Sequence, residues 1–233
     1  MRAENRQFKV ICAGELAEVY LYDVIGDDMF GGISAKMFAD ELGKAKGAKR
    51  IDVRINSPGG DVFAGNTIYT LLKSHSAKVN VYIDGLAASI ASVIAMAGDT
   101  IEISQNGMLM IHDPFGGSFG TAEEHRKLAD LLDKVKDSIA DTYVSRSGMN
   151  KDEAIKLMAA ETWFTSQEAL DAKLVDRVGS DLAIAACVRS DLFKFKHLPE
   201  SLVAKADEAD EPAQTVSFET DLRRKINAYK TRS

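Results

Sequence analysis

The stretch DGLAASIASVIA, Asp84 to Ala95, puts a hydroxyl where chemistry is possible, because Ser89 opens an apolar helix close behind a strand. At a helix start the first backbone N–H groups lack intrahelical partners and carry the positive end of the macrodipole. A negative oxygen generated beside Ser89 would be stabilised there. Taken alone, a serine in this position is equally the N-cap of a buried helix. Nucleophilic use needs a base, since a serine hydroxyl is unreactive near neutral pH until a group within hydrogen-bond reach removes its proton. Histidine, with an ordinary pKa of about 6.5, is the usual choice. His112 is the candidate: the apolar run MLMIH delivers it at a strand end just before Pro114. His75 ends a helix, His125 lies in a helix's first turn beside Glu123 and Glu124, and His197 sits in a charged C-terminal segment. Surface roles suffice for all three.

Hydrophobic periodicity sets the elements that must position these groups. KVNVYID places Val79, Val81 and Ile83 on one strand face. A turn bearing Gly85 follows, and Ile90, Val93, Ile94 and Ala97 then recur at helical spacing. Upstream, Arg6 to Ile11 alternates weakly and Val19 and Leu21 mark a strand. Met37, Phe38 and Leu42 mark an amphipathic helix. Ile51, Val53 and Ile55 form a strand that leads through SPGG into a helix carrying Ile68, Leu71 and Leu72. Downstream, Ile101 and Ile103 alternate, and the longest helical signal runs from Thr121 to Ser147 with Leu128, Leu131, Leu132, Val135, Ile139 and Tyr143 on one stripe. Either the parent domain or a neighbouring subunit must cover that stripe. NKDEAIKLMAA predicts a further helix, and Thr165 in WFTSQEAL caps another. Short strands alternating with helices make this an α/β protein of repeated strand-helix units.

The 233 residues suffice for one domain with an appendage. A compact domain over 1–180 gives way to a charged extension over 181–233, in which Ala204 to Thr215 reads as flexible and Leu222, Ile226 and Tyr229 are spaced for a short helix. The net charge of −6, with Lys and Arg scattered among Asp and Glu, argues against a nucleic-acid partner. Cys12 and Cys187 have no metal-like spacing. With no apolar leader at MRAENRQF and no run of about 18 apolar residues, no membrane partner is expected and the protein reads as cytoplasmic.

Three motifs in order, SPGG at Ser57 to Gly60, GLAAS at Gly85 to Ser89 and MIHDPFGG at Met110 to Gly117, resemble the ClpP family of serine peptidases, including phage and prophage members that process capsids. The resemblance covers roughly Glu18 to Gly179. It implies a ClpP/crotonase-type fold with a protruding handle helix from Thr121, and a serine endopeptidase with Ser89 as nucleophile and His112 as general acid and base. It also implies oxyanion donors in the backbone amides of Gly60 and Ile90. SPGG alone would pass for an ordinary tight turn. Where the family usually has an aspartate to orient the imidazole, this chain has Glu161, in AETWF. A glutamate supplies the same carboxylate on a longer stem, and it is also compatible with a surface residue capping a turn. By the same resemblance, an extended peptide would be held as an added strand between Asp61, Val62 and Phe63 on one side and Phe115, Gly116, Gly117 and Ser118 on the other.

No metal or organic cofactor is implied. The expected partners are a peptide or protein substrate and further copies in a homo-oligomer, ring-shaped by resemblance, with capsid or scaffold proteins or an ATPase as alternatives. A phage or prophage head maturation protease is the favoured setting, on Glu161 and the charged tail. The proteolytic subunit of an ATP-dependent Clp protease is the alternative. A crotonase-like acyl-CoA enzyme and a non-catalytic scaffold are readings from other classes, which lack a use for a serine and histidine in this order.

Overall fold

The period-two runs become strands of one sheet, and the period-3.6 runs become the helices between them. The computed structural model of the protein describes residues 8–26, 32–180, 195–199 and 202. In chain order these form β1 (Phe8–Ala13), β2 (Leu16–Leu21), α1 (Ala35–Leu42), β3 (Arg50–Ser57), α2 (Val62–Lys73), β4 (Lys78–Ala88) and α3 (Ile90–Ala95). There follow β5 (Thr100–Ile103), β6 (Met108–Ile111), α4 (Ala122–Ser147), α5 (Lys151–Ala159), β7 (Thr162–Thr165), α6 (Ser166–Asp171) and β8 (Arg177–Val178). The α/β architecture expected from the sequence is the one observed.

Strands β2, β3, β4, β5 and β8 pair in parallel in that order, and β1 closes one edge as the antiparallel partner of β2. Val19, Val53, Val81 and Ile101 stand side by side in this register, all essentially buried. Such runs of branched aliphatics are what strands buried in an α/β core require. Each side chain of this kind contributes about 1.5–3 kcal/mol on full burial.

Strand β4 is the pivot. Its first half pairs with β5, while Leu86, Ala87 and Ala88 pair in parallel with Met108, Leu109 and Met110 of β6, which pairs antiparallel with β7. This corrects the expectation of a turn at Gly85: β4 continues past that glycine, with a register irregularity against β3 between Ile83 and Ala87, and β3 and β6 both pair with it again at Ala87. The chain reverses at Ser89 instead.

The caps follow the sequence. Thr121 and Thr165 each close a capping box, with Glu124 and Glu168, and α4 ends at Gly148 in the left-handed conformation (φ 74). Only the C-terminal half of α4 is buried, through Ile139, Ala140, Tyr143 and Ser147, and Leu131 is 45% exposed.

The chain divides into two compact units. One holds the described part of 1–186 together with Phe195–His197, and the second holds Leu198, Pro199 and Leu202 among its described residues. Phe195–His197 lie beyond the boundary that composition suggests, yet they belong to the first unit. The flexible segment over 204–215 and the terminal helix over 222–229 lie outside the described residues, as does Cys187.

Candidate active site

Ser89 sits at the end of β4 with φ 54 and ψ −130, a backbone conformation that L-residues rarely adopt. Such a residue costs on the order of 1–3 kcal/mol and persists only where its surroundings enforce it. Here Ser89 N–H donates to Met110 O at 3.0 Å, and Ser89 O accepts from Ser92 Oγ at 2.6 Å. Ser92 in turn pairs with the buried Tyr143 hydroxyl at 2.8 Å, which ties the nucleophile's peptide to α4. The Ser89 side chain makes no capping bond to α3. Its Oγ lies 2.8 Å from His112 Nε2, so the hydroxyl is placed for proton transfer rather than for capping.

The parallel register explains the meeting. Ala88 pairs with Met110, so the residues that follow the two strand ends emerge together, and His112 swings over Ser89. Burial pushes the imidazole pKa below its ordinary value, against the opposing charges of Glu161 and Asp113, and Lys196 adds to the lowering. The base is thus kept neutral, the form that can accept the serine proton.

Glu161 arrives by the neighbouring ladder. In β6 and β7, Ile111 pairs with Thr162, so one further step sets position 161 across from His112. Glu161 has φ 50, which turns the chain just before β7, and it is 6% exposed. Its carboxylate accepts from two backbone amides, Lys196 N–H at 2.8 Å and His197 N–H at 2.6 Å, and from Trp163 Nε1 at 3.4 Å. Among the described hydrogen bonds, none joins it to His112. The structure therefore brings Ser89 and His112 into contact and sets Glu161 close enough to act on the imidazole by charge.

A family model described as Clp protease matches residues 6–181. The chain belongs to the Clp protease family. It is thus a hydrolase of the serine peptidase class. It is 33% identical over 156 residues to an ATP-dependent Clp protease proteolytic subunit of Ligilactobacillus salivarius, covering 66% of this chain and 78% of that protein. Against proteolytic subunit 1 of Leifsonia xyli the figures are 31% over 171 residues, 72% and 85%. A solved ClpP1 variant from Listeria monocytogenes superposes with a TM-score of 0.62 at 24% identity, over 70% of this chain and 91% of that one, which shows the shared fold.

The remaining residues expected at this Clp-type site are distributed as follows. Gly59 (φ 95) and Gly60 (φ 145) both have backbones that L-residues rarely adopt. A Cβ on Gly60 would fall 1.9 Å from Ile25 O, because Asp61 N–H donates to that carbonyl at 2.7 Å and draws the two segments together. Ile90 is the first residue of α3 and is buried. The expectation of an extended edge over Asp61, Val62 and Phe63 needs correcting. Asp61 is extended but N-caps α2 through Ala64 N–H at 2.6 Å, and Val62 and Phe63 form that helix's first turn. Across the site, Phe115, Gly116, Gly117 and Ser118 are irregular and exposed, and Ser118 Oγ meets His125 Nδ1 at 3.0 Å. A small cleft is lined by Val62, Ser89, Ile90, Val93, His112, Pro114, Ile139 and Tyr143.

Among the described residues no group of three or more His, Cys, Asp or Glu side chains is gathered for a metal, and no helix is long and apolar enough to cross a membrane. Sequence reasoning missed Trp163, Phe195 and the amides of Lys196 and His197. The rings of Phe115 and Phe195 stand edge-on to His112 at 5.7 and 5.9 Å, and Phe195 lies 5.5 Å from Trp163. The alternation in LFKFKH is the one available signal, and backbone donors leave none.

Proposed function

We propose that the chain is an endopeptidase in which Ser89, His112 and Glu161 act as a triad. Ser89 Oγ attacks the scissile carbonyl carbon while His112 Nε2 takes its proton. The tetrahedral intermediate collapses as the imidazolium gives that proton to the departing amine, which leaves an acyl ester on Ser89. Water, deprotonated by His112, then hydrolyses the ester and restores the serine. Gly60 and Ile90 N–H are the proposed oxyanion donors, each worth about 100- to 1000-fold in rate. Glu161 stabilises the imidazolium by its charge. The observation that carries this reading is the 2.8 Å contact from Ser89 Oγ to His112 Nε2, made by a serine held at φ 54.

The peptide substrate would run extended past Asp61 and the 115–118 segment. A homo-oligomer is supported by the exposed Leu131 of α4 and Phe119 just ahead of that helix, large apolar groups that a second copy could cover. Two settings are supported by different observations. The carboxylate at Glu161 and the charged tail favour a phage or prophage head maturation protease acting on capsid or scaffold proteins. The likeness to ATP-dependent Clp protease proteolytic subunits favours a proteolytic subunit working with an ATPase. Fluorophosphonate labelling tests the chemistry: stoichiometric modification at Ser89 is expected, and its absence in assembled protein would leave the crotonase-like or scaffold readings. ATP-dependent degradation of a folded substrate with a Clp ATPase separates the two settings, because head maturation needs no nucleotide.

A further inference from the structure

The segment Phe195–His197 touches the acid and base of the proposed triad and the tryptophan beside them. Its amides at Lys196 and His197 donate to the two oxygens of Glu161, at 2.8 and 2.6 Å, one to each. Its Phe195 ring stands edge-on to both His112 and Trp163, at 5.9 and 5.5 Å. Trp163 Nε1 completes the circuit by reaching Glu161 Oε1 at 3.4 Å. His112, Glu161, Trp163 and the 195–197 segment thus close on one another.

We infer that Phe195–His197 is a positioning element of the active site, a strap that fixes the Glu161 carboxylate and buttresses the His112 ring. A glutamate has one more rotatable bond than an aspartate, and an untethered carboxylate would spread over several rotamers. Backbone amides bonding both oxygens remove that freedom, and bonds to a charged acceptor are the strong class of hydrogen bond. They also satisfy a carboxylate that is 6% exposed and would otherwise be costly to bury. The edge contacts of Phe195 and Phe115 pack two rings against the imidazole, whose displacement from Ser89 by small distances would cost rate. The strap thus accounts for a triad built with the longer acid.

The inference rests on the assignment of Glu161 as the triad carboxylate, and the test separates the two. Full-length Phe195→Ala, Phe195→Leu, His197→Pro and Glu161→Gln are compared with the parent on a short fluorogenic peptide, with folding checked by circular dichroism. His197→Pro deletes one N–H to Glu161, and Phe195→Ala deletes the buttress without touching the backbone. Both should lower kcat about tenfold or more, toward the roughly hundredfold that a misplacement of about 1 Å costs, with KM unchanged. Phe195→Leu should restore most of the loss. The charged groups acting on His112 are Glu161, Asp113 and Lys196. With the carboxylate released, His197→Pro should move the acidic limb of kcat to lower pH.

Unchanged kcat in both strap variants, with Glu161→Gln impaired, overturns the strap and leaves the triad standing. A rise in kcat with the acidic limb moving to higher pH also overturns it, because the segment would then be withholding the carboxylate from His112. Parent-like activity in Glu161→Gln, with Ser89→Ala and His112→Ala dead, removes the acid assignment and the strap together.

Discussion

Gly59 and Ser89 approach so closely that a Cβ on the glycine would lie 2.6 Å from the serine Cβ and 2.7 Å from Ala88 O. The SPGG motif is therefore packed against the nucleophile's own backbone, at a position where φ is 95. Gly59→Ala should destabilise the protein by about 1–3 kcal/mol through overpacking and displace Ser89 from His112, with a loss of turnover approaching about a hundredfold. Calorimetry and peptide hydrolysis on the same sample check both halves. A fully active Gly59→Ala protein would show that the loop can retreat from Ser89 at no catalytic cost.

Ser89→Ala isolates the nucleophile. Because the hydroxyl makes no capping bond, folding stability should change by less than the roughly 1 kcal/mol of a typical N-cap loss. Turnover should fall by about a millionfold, as for other serine nucleophiles. Retained hydrolysis, measured after active-site titration of the parent, would end the mechanism.

The pH profile follows from the environment of His112. Burial lowers its pKa, so the acidic limb of kcat/KM should have its midpoint below the ordinary histidine value of about 6.5. Glu161→Gln removes a charge that favours imidazolium and should move that midpoint lower still. Turnover should fall less than in His112→Ala, and less than the roughly 10⁴-fold seen when a directly bonded triad carboxylate is neutralised. The same lowered pKa means that the unfolded chain binds the proton first. This group's contribution to stability is therefore fully present above about pH 6.5 and is lost as the pH falls from there through the lowered folded-state value. A midpoint above 6.5 in the parent would show that the imidazole is paired with the carboxylate in solution rather than merely near it.

How much of this was legible in the sequence differs from residue to residue. Ser89 was readable because the helical spacing from Ile90 marks where α3 starts, and His112 because it follows the apolar run that ends just before Pro114. Their meeting was readable only by resemblance, since the β4 and β6 pairing is a long-range event. The extent of β4 was misjudged because Gly85 looks like punctuation, while cross-strand bonding from β3 and β6 overrides local propensity. Val62 and Phe63 proved helical because the Asp61 cap starts α2 directly after the glycines. The strap was invisible for a different reason: its contacts with Glu161 are made by main-chain N–H groups, which every residue but proline possesses.

Assembly gives the last prediction. The N-terminal half of α4 carries Leu128, Leu131 and Leu132 with no buried position before Ile139, and Phe119 just ahead of it is fully exposed. A helix whose apolar stripe continues beyond its own core is suited to packing against its counterpart in another copy, because isologous contact covers both stripes at once. Light scattering of the full chain should show a multi-subunit particle, and Leu131→Asp should break or weaken it by placing a carboxylate in the contact. Truncation after Ala204 keeps Phe195–His197 and α4, so the particle and the hydrolysis of a short peptide should both survive. A monomeric full-length protein with normal activity would remove the role assigned to α4. A truncated chain that falls apart would place the contact in the C-terminal extension instead.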